Sequence, residues 1–169
     1  MSKGSGGVSM AEIEKALASI VGGDRAKSVA SGLGSFEGWL RGELIIWLRD
    51  FVEQGADLGV EYAARLKGTG RQQKRVDLWV KAKGKGKRWH YIELKVVFKN
   101  ANMREQLAGW QDDFNALVAL DPSECAAGVA SFAVGVGFSD SEWKRQAGEG
   151  RVVATGNRKS DLRLAVLPR

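Results

Sequence analysis

The chain has 169 residues, a formal net charge of +6, one cysteine (Cys125) and one histidine (His90). A lone cysteine excludes a disulfide frame, and a lone histidine argues against a His-based zinc site or a catalytic triad. No apolar run reaches the ~18 residues of a membrane helix, so a cytoplasmic protein with a basic surface is expected.

Residues 1–7 form a glycine–serine lead that reads as flexible, and 8–169 read as one domain. The pattern over 11–21 predicts a short amphipathic helix stopped by Gly22-Gly23, while 24–34 fit helix or loop. A longer helix is predicted over 35–54, with Ser35 as N-cap and Gly55 as stop. Phe36, Leu40, Leu44, Trp47, Leu48 and Phe51 make its apolar stripe. Glu43 falls within that face, as a hydrogen-bonded structural acid or a site residue. Glu37 flanks the other edge, in the first turn, where a carboxylate suits the helix dipole.

Strands follow over 58–66, 75–80 and 90–97. The last two carry Asp77, Glu93 and Lys95 inside apolar runs, where an unpaired charge costs several kcal/mol. Gly84-Lys85-Gly86 marks the turn between them, because glycine reaches positive φ without steric cost. A hairpin centred on Lys85 sets Asp77 opposite Glu93 and Leu78 opposite Ile92. Asp77, Trp79, Tyr91, Glu93 and Lys95 then share one face; Val76, Leu78, Val80, Ile92, Leu94 and Val96 share the core face, with His90. Opposed carboxylates with Cβ atoms about 5 Å apart repel unless a cation lies between them, and Mg²⁺ suits that place. Taken alone, Glu93-Leu94-Lys95 also fits a solvated strand face.

A second long helix is predicted over 103–120, opened by an Asn102/Glu105 capping box and closed by Pro122. Gln106 borders its stripe of Leu107, Trp110, Phe114, Leu117 and Val118, as a surface amide or a group reaching the site. A buried strand over 128–138, a helical turn over 141–146 and a hairpin over 151–167 around Gly156-Asn157 complete the chain. The order of helix, three strands, helix and strand predicts a mixed central sheet with helices on both sides. Basic residues gather before the second strand (Lys74, Arg75) and around the turn (Lys83, Lys85, Lys87, Arg88), which fits phosphate contacts. Trp79, Trp89 and Tyr91 offer rings for stacking on bases, with core packing the reading for at least two of them.

Helix-Glu43, strand-Asp77, strand-Glu93-Leu94-Lys95 and helix-Gln106 together resemble the PD-(D/E)XK nuclease superfamily, over residues 35–138. Val76 stands where the motif has proline, and Trp110 replaces the tyrosine that follows the glutamine in exonuclease-like branches. Iron–sulfur versions are excluded by the single cysteine. The resemblance implies a restriction-endonuclease-like αβββαβ core and Mg²⁺- or Mn²⁺-dependent cleavage of nucleic acid, DNA foremost. In that reading Asp77, Glu93 and the Leu94 carbonyl hold the metal, Glu43 binds a second one or its water, Lys95 orients the attacking water, and Gln106 assists. A homodimer and an immunity or regulatory partner are left open. So are a nucleic-acid- or protein-binding module that keeps the fold without cutting, and a toxin or effector nuclease with an immunity protein.

Overall fold

The computed structural model describes residues 6–32, 35–52, 56–68, 72–84, 86–155 and 161–169. Ser9 opens α1 (Met10–Gly22) reciprocally: its hydroxyl accepts the Glu12 N–H, and the Glu12 carboxylate accepts the Ser9 N–H at 2.8 Å. The stretch open to either reading is helical, as α2 (Asp24–Ala30). In α3 (Phe36–Leu48) the Ser35 hydroxyl accepts the Gly38 N–H at 3.0 Å. This helix stops earlier than expected. Asp50 and Phe51 donate to the carbonyls of Trp47 and Leu48, a tightened turn that tucks Val52 into the core; residues 53–55 lie outside the described residues.

The strands β1 (Leu58–Arg65), β2 (Gln73–Lys81) and β3 (Trp89–Phe98) form the expected antiparallel meander. Helix α4 (Met103–Val118) then crosses over to β4 (Ala126–Val136), which lies parallel to β3. The expected Asn102 capping box is not made. Asn102 uses no side-chain cap bond; its N–H donates to Asn100 Oδ1 at 3.0 Å instead. After α5 (Asp140–Gln146), β5 (Arg151–Val153) and β6 (Leu162–Pro168) pair antiparallel. The turn residues Gly156 and Asn157 lie outside the described residues. The result is a six-stranded mixed sheet in the order β1-β2-β3-β4-β6-β5, with helices on both faces.

Each face has its own core. Ile13 and Leu17 of α1 and Leu40, Leu44 and Leu48 of α3 pack on Leu78, Ile92, Leu94, Phe132, Leu164 and Val166. The apolar stripe of α3 therefore faces the sheet as the periodicity requires. On the opposite face, Trp110 and Trp143 cover Ala133 and Ala165, and Leu117 covers Tyr91 and Val129. Trp143 fits because Gly135 lacks a side chain: a Cβ there would fall 2.5 Å from its ring. His90 is buried as expected, with Nε2 3.0 Å from the Val8 carbonyl, and so plays a structural part.

Candidate functional site

The hairpin register is the one centred on Lys85: Leu78 pairs with Ile92, Trp79 with Tyr91, Val80 with His90 and Lys81 with Trp89. Beyond Leu78 and Ile92 the two strands part. Strand β2 stays with β1 down to the Gln73–Arg65 pair, whereas β3 stays with β4 along its whole length. Asp77 and Glu93 stand at this fork, just past the last pair. Glu61, which falls between the Val60–Leu78 and Tyr62–Val76 pairs, takes a left-handed φ of 52°. The kink breaks strict alternation there. Val76 consequently packs with Ala64, Tyr91 and Leu117 beneath α4, not with Leu78 and Val80 beneath α1 and α3, which corrects the face expected for it.

The fork leaves the outer edge of β3 without a neighbouring strand, and side chains take its amides in turn. The Leu94 N–H donates to Asp77 Oδ2 at 2.9 Å, the Val96 N–H to the Glu37 carboxylate, and the Phe98 N–H to Gln106 Oε1 at 2.8 Å. Amide and carbonyl of one strand residue point to the same side, so the Leu94 carbonyl also leaves β3 at the fork.

Charges converge on the same place. The Glu93 carboxyl is only 5 % exposed and lies within hydrogen-bonding reach of the Asp77 carboxyl. Burial first, and then repulsion by Asp77, push it up to about 8, although Lys74 opposes the shift. Glu37 is also raised, by burial and then by the charge of Asp77, with Lys95 and its own bond to Val96 opposing. Lys74 Nζ sits 2.7 Å from Asp113 Oδ1 on α4 and 3.2 Å from Glu93 Oε1, the latter outside hydrogen-bonding direction. Lys95 Nζ lies 3.9 Å from Asp113 Oδ2. Arg41 of α3 spans Asp77 Oδ1 at 3.5 Å and Glu61 Oε1 at 3.6 Å.

Several expected site residues are placed elsewhere. Glu43 pairs with Arg25 on α2 at 3.0 Å, and the helix acid shown beside Asp77 is Glu37. Periodicity sets Glu43 within the stripe and Glu37 at its edge, but it does not show how α3 rolls against α1 and α2, and that roll brings Glu37 to Asp77. Gln106 reaches the same strand edge but ends at Phe98, four residues past Leu94, as a substitute for a ladder partner. Lys74 is held among carboxylates within the fold, and Arg75 pairs with Glu61 at 3.1 Å. Lys83 pairs with Glu12 at 3.5 Å, and Arg88 donates to the Ala126 carbonyl at 3.1 Å. Lys85 lies outside the described residues. The lysine turn is not beside the acids: Trp89, at its base, is already about 14 Å from Glu93 by strand rise. Lys87 is exposed on the rim of an aromatic pocket.

Arg41, Glu61 and Asp113 join the cluster without having been singled out. Asp113 carried a usable signal, as an acid one turn beyond Gly109 on the helix that must cross β3 and β4. Gly109 faces the side chain of Lys95, whose Nζ would be in ordinary contact, 3.5 Å, with a Cβ placed there.

Among the described residues, no three His, Cys, Asp or Glu side chains form a group able to hold a metal by themselves. The fork offers two carboxylates and a main-chain carbonyl, and Glu93 Oε1 is buried without a hydrogen-bond partner. Such an all-oxygen set suits a hard divalent cation completed by water and phosphate oxygens. Comparison with family models, with curated proteins and with solved structures gave no match.

Proposed function

We propose that the chain is a metal-dependent nuclease with a restriction-endonuclease-like core, hydrolysing phosphodiester bonds in DNA. The observation that carries this reading is the fork. Two carboxyls are forced together at the parting of two strands, one of them buried and raised to about 8, with a lysine two residues further along the same strand. Burying a carboxyl beside another acid is costly, and Lys74 offsets that cost only in part, since Glu93 stays raised. Strained electrostatics of this kind cluster at functional sites.

Asp77, Glu93 and the Leu94 carbonyl would hold Mg²⁺ or Mn²⁺. When bound, the ion supplies charge for the pentacovalent phosphorus and lowers the pKa of water. Lys95 orients the attacking water, and Asp113 restrains both Lys95 and Lys74. Glu37 takes the role first assigned to Glu43, through the water shell beside Asp77. Arg41, facing Asp77 and Glu61, is positioned to receive a phosphate oxygen.

A second reading, a nucleic-acid-binding module that does not cut, has its own support. Lys74 and Arg41 already lie against Glu93 and Asp77 and offset their charge from within. Incubation with supercoiled, linear, single-stranded and branched DNA and with RNA, in Mg²⁺, Mn²⁺ or chelator, separates the two. Cleavage that needs metal and disappears in Asp77→Asn supports the nuclease. The Asn carbonyl can still accept the Leu94 N–H, so the fold is retained. Metal-independent cleavage, or full activity in that variant, would sink the assignment.

A further inference from the structure

Beneath the open end of the α4 face, four aromatic side chains surround a cavity of about 340 Å³. Trp79 and Trp89 meet edge to face at 4.8 Å, and Tyr62 and Tyr91 lie nearly parallel at 6.2 Å. The walls are held from behind. The Tyr62 phenol donates to Glu124 Oε2 at 3.0 Å, the Tyr91 phenol lies between the Glu124 carbonyl at 2.9 Å and Oε2 at 3.1 Å, and Glu124 Oε1 accepts the Arg65 N–H at 2.7 Å. Glu124 is itself buried, 7 % exposed, so the two phenol rings are held before any ligand arrives. Core packing does not account for the whole arrangement. Tyr62 is 40 % exposed, α4 ends at Val118, and the 3-10 turn Pro122–Glu124 closes only one side.

The size and the rim select an occupant. The volume is at the lower end for ligand pockets, suited to one planar ring system with its sugar. A ring of aromatics could equally take an alkylammonium ion, but the one carboxylate in the lining, Glu124, already accepts from the phenols and the Arg65 N–H, and Lys87 at the mouth repels a cation while attracting a phosphate. Position agrees. Tyr91 and Glu93 lie two residues apart on the same strand, about 7 Å by strand rise, so the pocket adjoins the acid cluster.

We infer that this pocket binds a single unpaired nucleobase next to the phosphodiester bond that the fork acts on. The inference rests on the nuclease reading for the identity of the neighbouring site, and it deepens that reading to a substrate class. The substrate is a single strand, a flap or a nucleotide turned out of a duplex, since a base stacked within paired DNA cannot enter. Aromatic stacking recognises the face of the ring and therefore tolerates all four bases.

The test uses the full chain in chelator and a single-stranded oligodeoxynucleotide carrying 2-aminopurine, with fluorescence quenching and anisotropy read together. Quenching on binding is expected for the parent. Tyr62→Leu, at a partly exposed position, should weaken single-strand binding about ten-fold or more and remove the quenching. Lys87→Ala should weaken binding and lower its salt dependence while quenching at saturation persists. Fully paired duplex should bind no more weakly to Tyr62→Leu than to the parent. Equal affinity and quenching in parent and Tyr62→Leu would overturn the pocket, as would displacement of the oligonucleotide by millimolar tetramethylammonium but not by sodium. Metal-dependent cleavage measured separately keeps the two claims apart. Cleavage with Tyr62-independent binding refutes the pocket alone, and Tyr62-dependent quenching without cleavage on any substrate refutes the nuclease alone.

Discussion

Glu93 gives the sharpest quantitative test of the fork, and it needs no substrate. Its carboxyl rises from an ordinary 4.5 to about 8 because burial disfavours the charge and Asp77 repels it. Asp113 adds to the repulsion, and Lys74 is the opposing charge. The folded protein thus keeps a proton that the unfolded chain has already released. Between about pH 4.5 and pH 8 the native state binds more protons, so metal-free stability falls as pH rises through that window. Each pH unit fully inside the window costs about 1.4 kcal/mol, and relaxation of the site brings the whole effect to about 2–4 kcal/mol. Glu93→Gln removes the titration, and its amide can donate to Asp77. Urea unfolding, followed by tryptophan fluorescence in chelator at about pH 5 and about pH 8, measures the difference between the two proteins. That difference should swing toward Glu93→Gln by about 2–4 kcal/mol as pH rises. Glu37 titrates in both proteins and cancels from the comparison. Adding Mg²⁺ at the higher pH should stabilise the parent and not the variant. Parallel stability profiles would refute the proximity of Asp77 and Glu93 on which the site depends.

Two further outcomes concern the roles of single side chains. Glu37→Gln should lower the metal-dependent cleavage rate at least ten-fold, about 1.4 kcal/mol in barrier, whereas Glu43→Gln should leave it within about two-fold, since the Arg25 pair is a surface contact of small energy; the reverse ranking in single-turnover assays would restore Glu43 as the helix acid. Lys95→Ala should reduce the single-turnover rate about a hundred-fold or more while oligonucleotide affinity changes little, and an equal loss of binding would make Lys95 a phosphate contact instead.

The parts of the molecule readable from sequence are those governed by local rules. Gly84 and Gly86, both at positive φ, fix the turn, and the register of Leu78 on Ile92 follows from counting outward. The stripe of Phe36, Leu40, Leu44 and Leu48 identifies the buried face of α3 by periodicity alone. The misjudged residues depend on relations between elements. Val76 changes face because Glu61, on a neighbouring strand, takes a left-handed conformation with no sequence signature, glycine being absent there. Glu37 and Glu43 differ only in the roll of α3 against its neighbours. The lysine turn looked close to the acids because residues few in number separate them, but an extended strand turns four residues into about 14 Å. Asp113 and Arg41 come from elements remote in sequence, and only the crossover and the helix packing bring them to Asp77, Glu93 and Lys95.

The way β3 completes its outer edge bears on solubility. A strand left half unpaired is a template for a strand from another molecule, and proteins commonly block such edges with charge. Here Asp77, Glu37 and Gln106 each occupy one of three successive outward amides, at Leu94, Val96 and Phe98. An incoming chain would have to displace all three and leave carboxyl groups stranded in the contact. The same three side chains that gather around the fork thereby keep the open half of β3 from pairing with a foreign strand.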